Sequence, residues 1–409
     1  MNVRPIAWRG LATAACLAAL PAAHATNGYF PHGFGLKAKG MGGASLAMSH
    51  DAFAGVNNPA QAAWVGNRFE LGAEVFSPQR SATVGTPMGP MEVQSGKEHF
   101  LIPELGYNVG LSNRLGVGIT VYGNGGMNTE YPAVFPGDSN FFCSGPTTCG
   151  QGKLGVDLMQ LIVAPTVAYK LNDQHSVGMS PLLVYQRFKA YGLQAFGLPN
   201  QGRDSSTGVG VRLGYMGQFG DHISVGASYS PKIDMSRFKK YGGLFAGNGD
   251  FDIPENVGIG VAFKPTPAVQ VALDYQRINY SGVPAIGNAS LANMSNGFGA
   301  PNGPGFGWQD VKVLKLGVQW QLNPTWTLRA GYNLGSNPVQ AQDVYLNILA
   351  PGVVRKHFTV GATYAWSGTE ELTFALWRAA RHNVEGNMPA PTRIGMSQNG
   401  VGVQYSRRF

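Results

Sequence analysis

Beyond its first two dozen residues the chain contains no run of eighteen or more consecutive apolar residues, so no membrane-spanning helix is expected. It is also poor in charge. Asp, Glu, Lys and Arg make up 13% of its 409 residues, against roughly a quarter in an average soluble chain. Cysteine is scarce, with three residues at Cys16, Cys143 and Cys149. Basic residues exceed acidic ones by eight, but they are scattered along the chain, which argues against nucleic acid as a partner. No His or acidic cluster surrounds the cysteines, so neither a metal site nor a cofactor is expected. What the chain does have is glycine, at 58 residues, and aromatic side chains, at 11%. A wall that faces lipid outside and is tightly packed inside needs that mixture.

The N-terminus reads as an export signal over residues 1–25. Arg4 and Arg9 form a basic start, Gly10 to Ala22 is a short apolar run, and Ala23-His24-Ala25 supplies a small-residue cleavage site. Cys16 leaves with that segment, because Thr13-Ala14-Ala15 before it is a poor lipidation signal. Losing Arg4 and Arg9 takes the formal net charge from +8 to +6. Proximity to an anionic lipid surface, lipopolysaccharide included, accounts for that charge. In an exported chain the remaining Cys143 and Cys149, closing a short turn-rich loop, read as a disulfide.

From residue 67 onward one unit repeats: an alternating strand, a short turn, another strand, a longer loop. Short turns are legible at Ser112-Asn113-Arg114, Asn172-Asp173-Gln174, Gly220-Asp221, Pro265-Thr266-Pro267, Asn323-Pro324-Thr325 and Ser367-Gly368-Thr369. Long connections fall near 85–97, 127–156, 193–206, 238–250, 282–309, 337–354 and 385–394. Six turns alternating with seven loops predict fourteen strands, an all-β, antiparallel transmembrane barrel over 67–409. The dyad is clear in 311–321, where Leu314, Leu316, Val318 and Trp320 oppose Lys315, Gly317, Gln319 and Gln321. Tyr107, Tyr169, Tyr215, Trp320, Trp326, Tyr364, Trp366 and Tyr405 fall near strand ends, as an interfacial girdle would. The final strand alternates from Val401 to an aromatic terminus, Phe409, the ending that outer-membrane barrels present to their assembly machinery. The expected location is therefore the outer membrane of a Gram-negative cell, and the expected state a monomer.

Residues 26–66 do not alternate. They are rich in small residues, with short helices expected around 37–48 and 60–64, and the economical place for them is the lumen, as an N-terminal plug. The run Gly-Phe-Gly-Leu-Lys-Ala-Lys-Gly-Met-Gly-Gly-Ala, the Asp51-Ala52 step, Asn58-Pro59-Ala60, and the later stretch from Tyr122 to Pro132 resemble the FadL-type outer-membrane transporter family. The resemblance covers essentially the whole exported chain. It implies passive uptake of hydrophobic compounds, long-chain fatty acids first and aromatic hydrocarbons as the alternative. Ligand would be captured by the loops, bind inside the plugged barrel, and leave sideways where the third strand kinks.

Candidate residues follow. An opening in the third strand, 115–126, is expected at its glycines, Gly116, Gly118, Gly123, Gly125 and Gly126, because glycine weakens strand pairing. A carboxylate would be anchored by inward bases, Arg212, Lys315 and Arg329, helped by Lys37 and Lys39; alternatively these pair with Glu70, Glu74, Glu104 and Asp274. The apolar path is expected at Tyr29, Phe30, Phe34 and Phe53 of the plug and at Phe141, Phe142, Leu193, Phe196, Leu198, Leu244 and Phe245 of the loops. Asn58, with Pro59 and Ala60, either sets the resting position of the plug or caps a short helix. Two other classes compete. A barrel enzyme needs a nucleophile motif near the rim, and none is present, so no enzymatic activity is expected. A general diffusion porin would usually have more strands and no plug.

Overall fold

The computed structural model describes residues 27–86, 89–145 and 148–409; the export signal lies outside them. Fourteen antiparallel strands form one closed ring: β1 (Arg68–Thr86), β2 (Phe100–Gly110), β3 (Leu115–Asn128), β4 (Gly155–Lys170), β5 (His175–Tyr191), β6 (Asp204–Phe219), β7 (Ile223–Ser230), β8 (Asn256–Thr266), β9 (Val269–Ile278), β10 (Val311–Gln321), β11 (Trp326–Gly335), β12 (Lys356–Ala365), β13 (Glu370–Gly386) and β14 (Thr392–Arg408). Neighbours in sequence are neighbours in space. The ring closes where β1 pairs with β14, from Arg68–Arg408 to Val84–Thr392. Closure removes the sheet edges that a membrane would not tolerate.

The alternation works as read. Leu314, Leu316, Val318 and Trp320 are exposed on the outer face, while Lys315 is buried on the inner one. The rings of Tyr107, Tyr169, Trp326, Tyr364 and Trp366 are exposed near the short-turn end. At the terminus, Phe409 stacks on Tyr107, with ring centroids 5.7 Å apart. Strand lengths differ widely, from eight residues in β7 to nineteen in β1. A span needs about 9–11 residues, so β1, β4, β5, β6, β13 and β14 carry their pairing well past the lipid. A short accessory strand, Gly89–Gln94, pairs with the far end of β1. A second hairpin, Ser139–Cys143 with Cys149–Gln151, is closed by the Cys143–Cys149 disulfide.

Residues 27–64 are inside the ring. Their backbone amides and side chains reach Glu70 of β1, Glu104 of β2, Tyr215 of β6, Asp274 of β9, Thr359 of β12 and Gln404 of β14. The helix expected over 37–48 is only one turn, α1 (Leu36–Lys39). It stops because the chain then turns through Gly42 and Gly43. Gly43 has φ +84°, and a Cβ there would lie 1.7 Å from the His32 carbonyl oxygen. A second turn, α2 (Ala54–Asn57), and a 3₁₀ turn, Pro59–Ala63, complete the segment.

Candidate functional site

The lumen is polar near the short-turn end. Lys39 of α1 pairs with Glu74 at 2.5 Å and Glu104 at 3.3 Å, all three side chains being buried. Glu74 also accepts from the Trp377 indole at 2.9 Å. Lys37 pairs with Glu371, which Arg68 also contacts at 2.5 Å while bonding Glu70 at 2.8 Å. Burying an ion is costly unless it is paired and hydrogen-bonded. Glu70, Glu74 and Glu104 each have both a cation and a neutral donor, since Glu70 accepts the Ala52 amide at 2.7 Å and Glu104 the Gly35 amide at 3.2 Å, while Glu371 is held by cations. The plug lysines are thus held by the wall.

Asn58 caps a short turn and also bonds the wall. Its Oδ1 accepts the Ala60 amide at 3.2 Å, with Pro59 opening the 3₁₀ turn. Its Nδ2 donates to the Leu46 carbonyl and to the Tyr215 carbonyl of β6, both at 2.8 Å. The three bases expected to anchor a carboxylate are placed otherwise. Arg212 donates to the Val56 carbonyl and, at 3.4 Å, to the Tyr122 hydroxyl. Arg329 donates to Gln319 at 2.9 Å and Thr363 at 2.6 Å. Lys315 lies opposite Asp274 in the β9–β10 register. None of the three lines either luminal cavity described below.

Toward the long loops the lumen becomes apolar. A small cavity is lined by Phe142, Leu193, Phe196, Leu198, Leu244 and Phe245, with Phe298, Phe306, Leu346 and Leu349 among its other walls and no charged residue. Six of the seven loop residues foreseen for the apolar path meet here. Phe142 is fixed between Phe196 and Tyr345, whose rings each lie 4.9 Å away. The Tyr345 hydroxyl accepts the Cys143 amide at 3.0 Å and donates to the Cys143 carbonyl at 2.8 Å, so the disulfide hairpin holds one wall.

Below that cavity stands an aromatic partition of Tyr29, Tyr280 and Trp308, with ring centroids 5.1–6.1 Å apart. Phe30 packs on it at 5.9 Å from Tyr280, whereas Phe34 meets Tyr122 at 5.0 Å and Phe53 is fully buried. The Tyr280 hydroxyl donates to the Asn27 carbonyl at 2.6 Å and accepts the Tyr29 and Phe30 amides, pinning the first described residues. Beneath the partition lies a second small cavity, lined by Tyr29, Trp308, Phe76, Arg80, Met127 and Met396 among others. Arg80 is 5% exposed. Its Nη1 donates to the Asn128 carbonyl, but Nε and Nη2 have no partner among the described residues. The Phe100 ring lies 5.8 Å from the guanidinium carbon, and Tyr131, Glu98 and Tyr191 are near enough to act on the charge of Arg80. This residue was not foreseen, although Gly72, Glu74, Phe76, Pro78 and Arg80 continue one alternating face.

The second cavity adjoins a gap in the wall. β2 pairs with β3 only from Leu105–Val121 to Gly110–Gly116. Beyond that point Phe100–Glu104 pair with β1 alone, and Tyr122–Asn128 pair with β4 alone. The β3–β4 register shifts between Gly123 and Gly125. Gly125 has φ +150°, and a Cβ there would stand 2.2 Å from the Tyr29 carbonyl oxygen. Gly123, Gly125 and Gly126 therefore sit where β3 bends inward. Gly116 and Gly118 do not: both lie in the paired part, where Gly116 lets the Ala62 carbonyl approach and Gly118 lies beside Asn108.

A family model described as "Outer membrane protein transport protein (OMPP1/FadL/TodX)" matches residues 16–405. No curated protein matches the chain in sequence. Among solved structures, the P. putida toluene transporter TodX superposes with a TM-score of 0.69 at 21% identity, over 92% of this chain and 99% of that one. The Ralstonia pickettii toluene transporter TbuX gives 0.66 at 20% identity, over 92% and 99%. A Pseudomonas aeruginosa FadL homologue gives 0.72 at 14% identity, over 93% and 100%. Identities this low speak for a shared barrel, and the family match carries the rest: the chain belongs to the OMPP1/FadL/TodX family of Gram-negative outer-membrane barrels that transport hydrophobic compounds.

Proposed function

We propose that this protein takes up hydrophobic carboxylic acids, long-chain fatty acids first among them. The observation that carries the reading is Arg80, a buried guanidinium with two nitrogens, Nε and Nη2, unpaired among the described residues, in a cavity whose lining is otherwise mostly apolar. An unpaired buried cation is costly, and a carboxylate ligand would offset that cost with charge-assisted hydrogen bonds. The route has three stages. The loop cavity captures the hydrocarbon, its Phe and Leu side chains parting to admit it. The Tyr29–Tyr280–Trp308 partition yields when residues 27–30 shift, and the carboxylate reaches Arg80. Release is sideways through the β2–β3 gap at Gly123, Gly125 and Gly126. Residues 27–66 act as the hatch, with Asn58-Pro59-Ala60 setting its resting position, so that small ions do not follow.

The second reading is transport of neutral aromatic hydrocarbons, favoured by a loop cavity with many Phe rings and no charge. Uptake of labelled oleate and labelled toluene separates the two, in a strain lacking its own transporters. Hydrogen bonds to charged groups contribute about 1.5–3 kcal/mol, so Arg80→Gln should cost oleate roughly ten- to hundredfold in affinity and leave toluene unchanged. Toluene uptake without oleate uptake by the wild type would overturn the carboxylate reading.

A further inference from the structure

The outer wall over β11–β14 and β1 carries a feature that substrate transport does not use. One straight cross-strand row is apolar: Ala330, Val360, Leu376, Val401 and Val75 are register partners in succession. Ala330 is the smallest of them, and with Gly331 and Gly400 in the adjoining backbone the sheet face is hollowed into a groove. The next row toward the external end changes character. Phe358, Arg378, Asn399 and Ser77 follow one another in register, and Ser77 meets His99 at 2.9 Å. Arg378 is exposed on the lipid-facing side and its guanidinium has no partner among the described residues.

Height decides what can meet it. On β13, β14 and β1 the apolar row is the last of the lipid-facing band, while Phe358 continues it by one residue on β12, so Arg378 stands at the boundary of the outer leaflet. Two further arginines, Arg381 and Arg393, lie above it and face Glu92 at 3.8 and 4.0 Å, with Glu385 opposite Arg393 in the register, so three arginines meet two carboxylates. The local balance is therefore cationic directly over an apolar groove. The outer leaflet of this membrane is built of phosphorylated, multiply acylated glycolipid, whose phosphates sit at that boundary and whose chains run below it. Arg binds phosphate through paired N–H donors, and Asn399 and Ser77 add donors beside it.

We propose that this face is a binding site for one phosphorylated acyl glycolipid of the outer leaflet, with its phosphate on Arg378, Asn399 and Ser77 and an acyl chain in the groove floored by Ala330 and Gly400. The contrast with Arg277 is instructive. That arginine is also outside and near the same boundary, but Asp310 neutralises it at 2.5 Å.

The test is native mass spectrometry of the full-length protein in mild detergent, titrated with purified lipid A, with dephosphorylated lipid A and with phosphatidylglycerol. The wild type is expected to retain one lipid A per chain. Arg378→Ala should lower that retention at least fivefold, and loss of the phosphates should do the same. Lys312→Ala, outside on β10, should change nothing. Asn399→Leu provides a second variant should Arg378→Ala fail to fold, and it is expected to weaken retention about threefold. Folding is checked by heat-modifiable migration in gels. Equal retention by Arg378→Ala and the wild type would overturn the site. So would equal retention of phosphatidylglycerol, which would reduce it to a general attraction for anionic lipid.

Discussion

The two ends of the lumen are built on opposite principles. Near the short-turn end, residues 27–64 are fastened to the wall by buried ion pairs, amide-to-carboxylate bonds and glycine-lined backbone contacts. Near the outside, the Phe-rich loop cavity is lined without a charge. The first arrangement is intolerant of substitution because each partner left alone is a buried, unpaired charge. The second relies on area alone, which is non-directional and tolerant of different ligands. The uptake route proposed above needs that division: a stiff base and an adaptable mouth.

The sharpest way to break the division is Lys39→Met. It leaves Glu74 and Glu104 buried with no shared cation, at a cost of about 3–5 kcal/mol. The plug should unseat, giving large, steady conductance steps in planar bilayers where the wild type gives few; Lys39→Arg should restore the closed state. Unchanged conductance in Lys39→Met would show that the ion pairs do not hold the plug. Asn58→Ala comes next. Loss of the cap costs about 1 kcal/mol, with the two carbonyl contacts in addition, so a partial leak is expected, measurable as intermediate sensitivity of cells to a bulky antibiotic. Phe142→Ala probes the other end. Removing a large aromatic from an apolar site should weaken binding about tenfold, on the scale of ~1.5–3 kcal/mol per buried side chain. That loss should be alike for oleate and toluene in fluorescence competition, with no leak. A loss confined to oleate would mean that the mouth is not the neutral half.

The smallest effect concerns the external loop between β7 and β8. Burial and a carboxyl–carboxyl hydrogen bond to Asp252 push Asp250 up to about 6, with Lys232 holding Asp252 at 2.5 Å. A raised folded value means that stabilisation is complete below the ordinary Asp range and is lost as pH rises through about 6. Amide exchange at Gly249 and Phe251, corrected for its intrinsic rate, should therefore quicken above that pH, and Asp250→Asn should abolish the change.

The barrel was legible because lipid and lumen impose a period of two on every strand, and the turns carry their own residue types. The loop cavity was partly legible for the same reason that it works: Phe and Leu set in a polar loop leave water only by packing against one another. What could not be read was long-range pairing. Arg212 is occupied by a carbonyl 156 residues away, and no local pattern announces that. Arg80 was hidden differently. The outward residues of β1 turn from Leu71, Ala73 and Val75 to Ser77 and Gln79, so the hydrophobic rhythm stops at the edge of the bilayer while the strand itself runs on to Thr86. The third strand shows the same limit. Its glycines are alike in sequence, but only Gly123, Gly125 and Gly126 stand where the neighbouring strand has let go.

The position of α1 has a consequence for how the ring is made. Its contacts fall on Glu74 of β1, Glu104 of β2, Glu371 of β13 and Gln404 of β14, the strands on either side of the one junction that joins the two ends of the chain. That junction has the greatest sequence separation of any pairing and is the last to be favoured by local order. A four-residue helix that binds both flanks shortens the search, so seating the cork and closing the cask share one free energy, and a chain that misplaces the first is expected to delay the second.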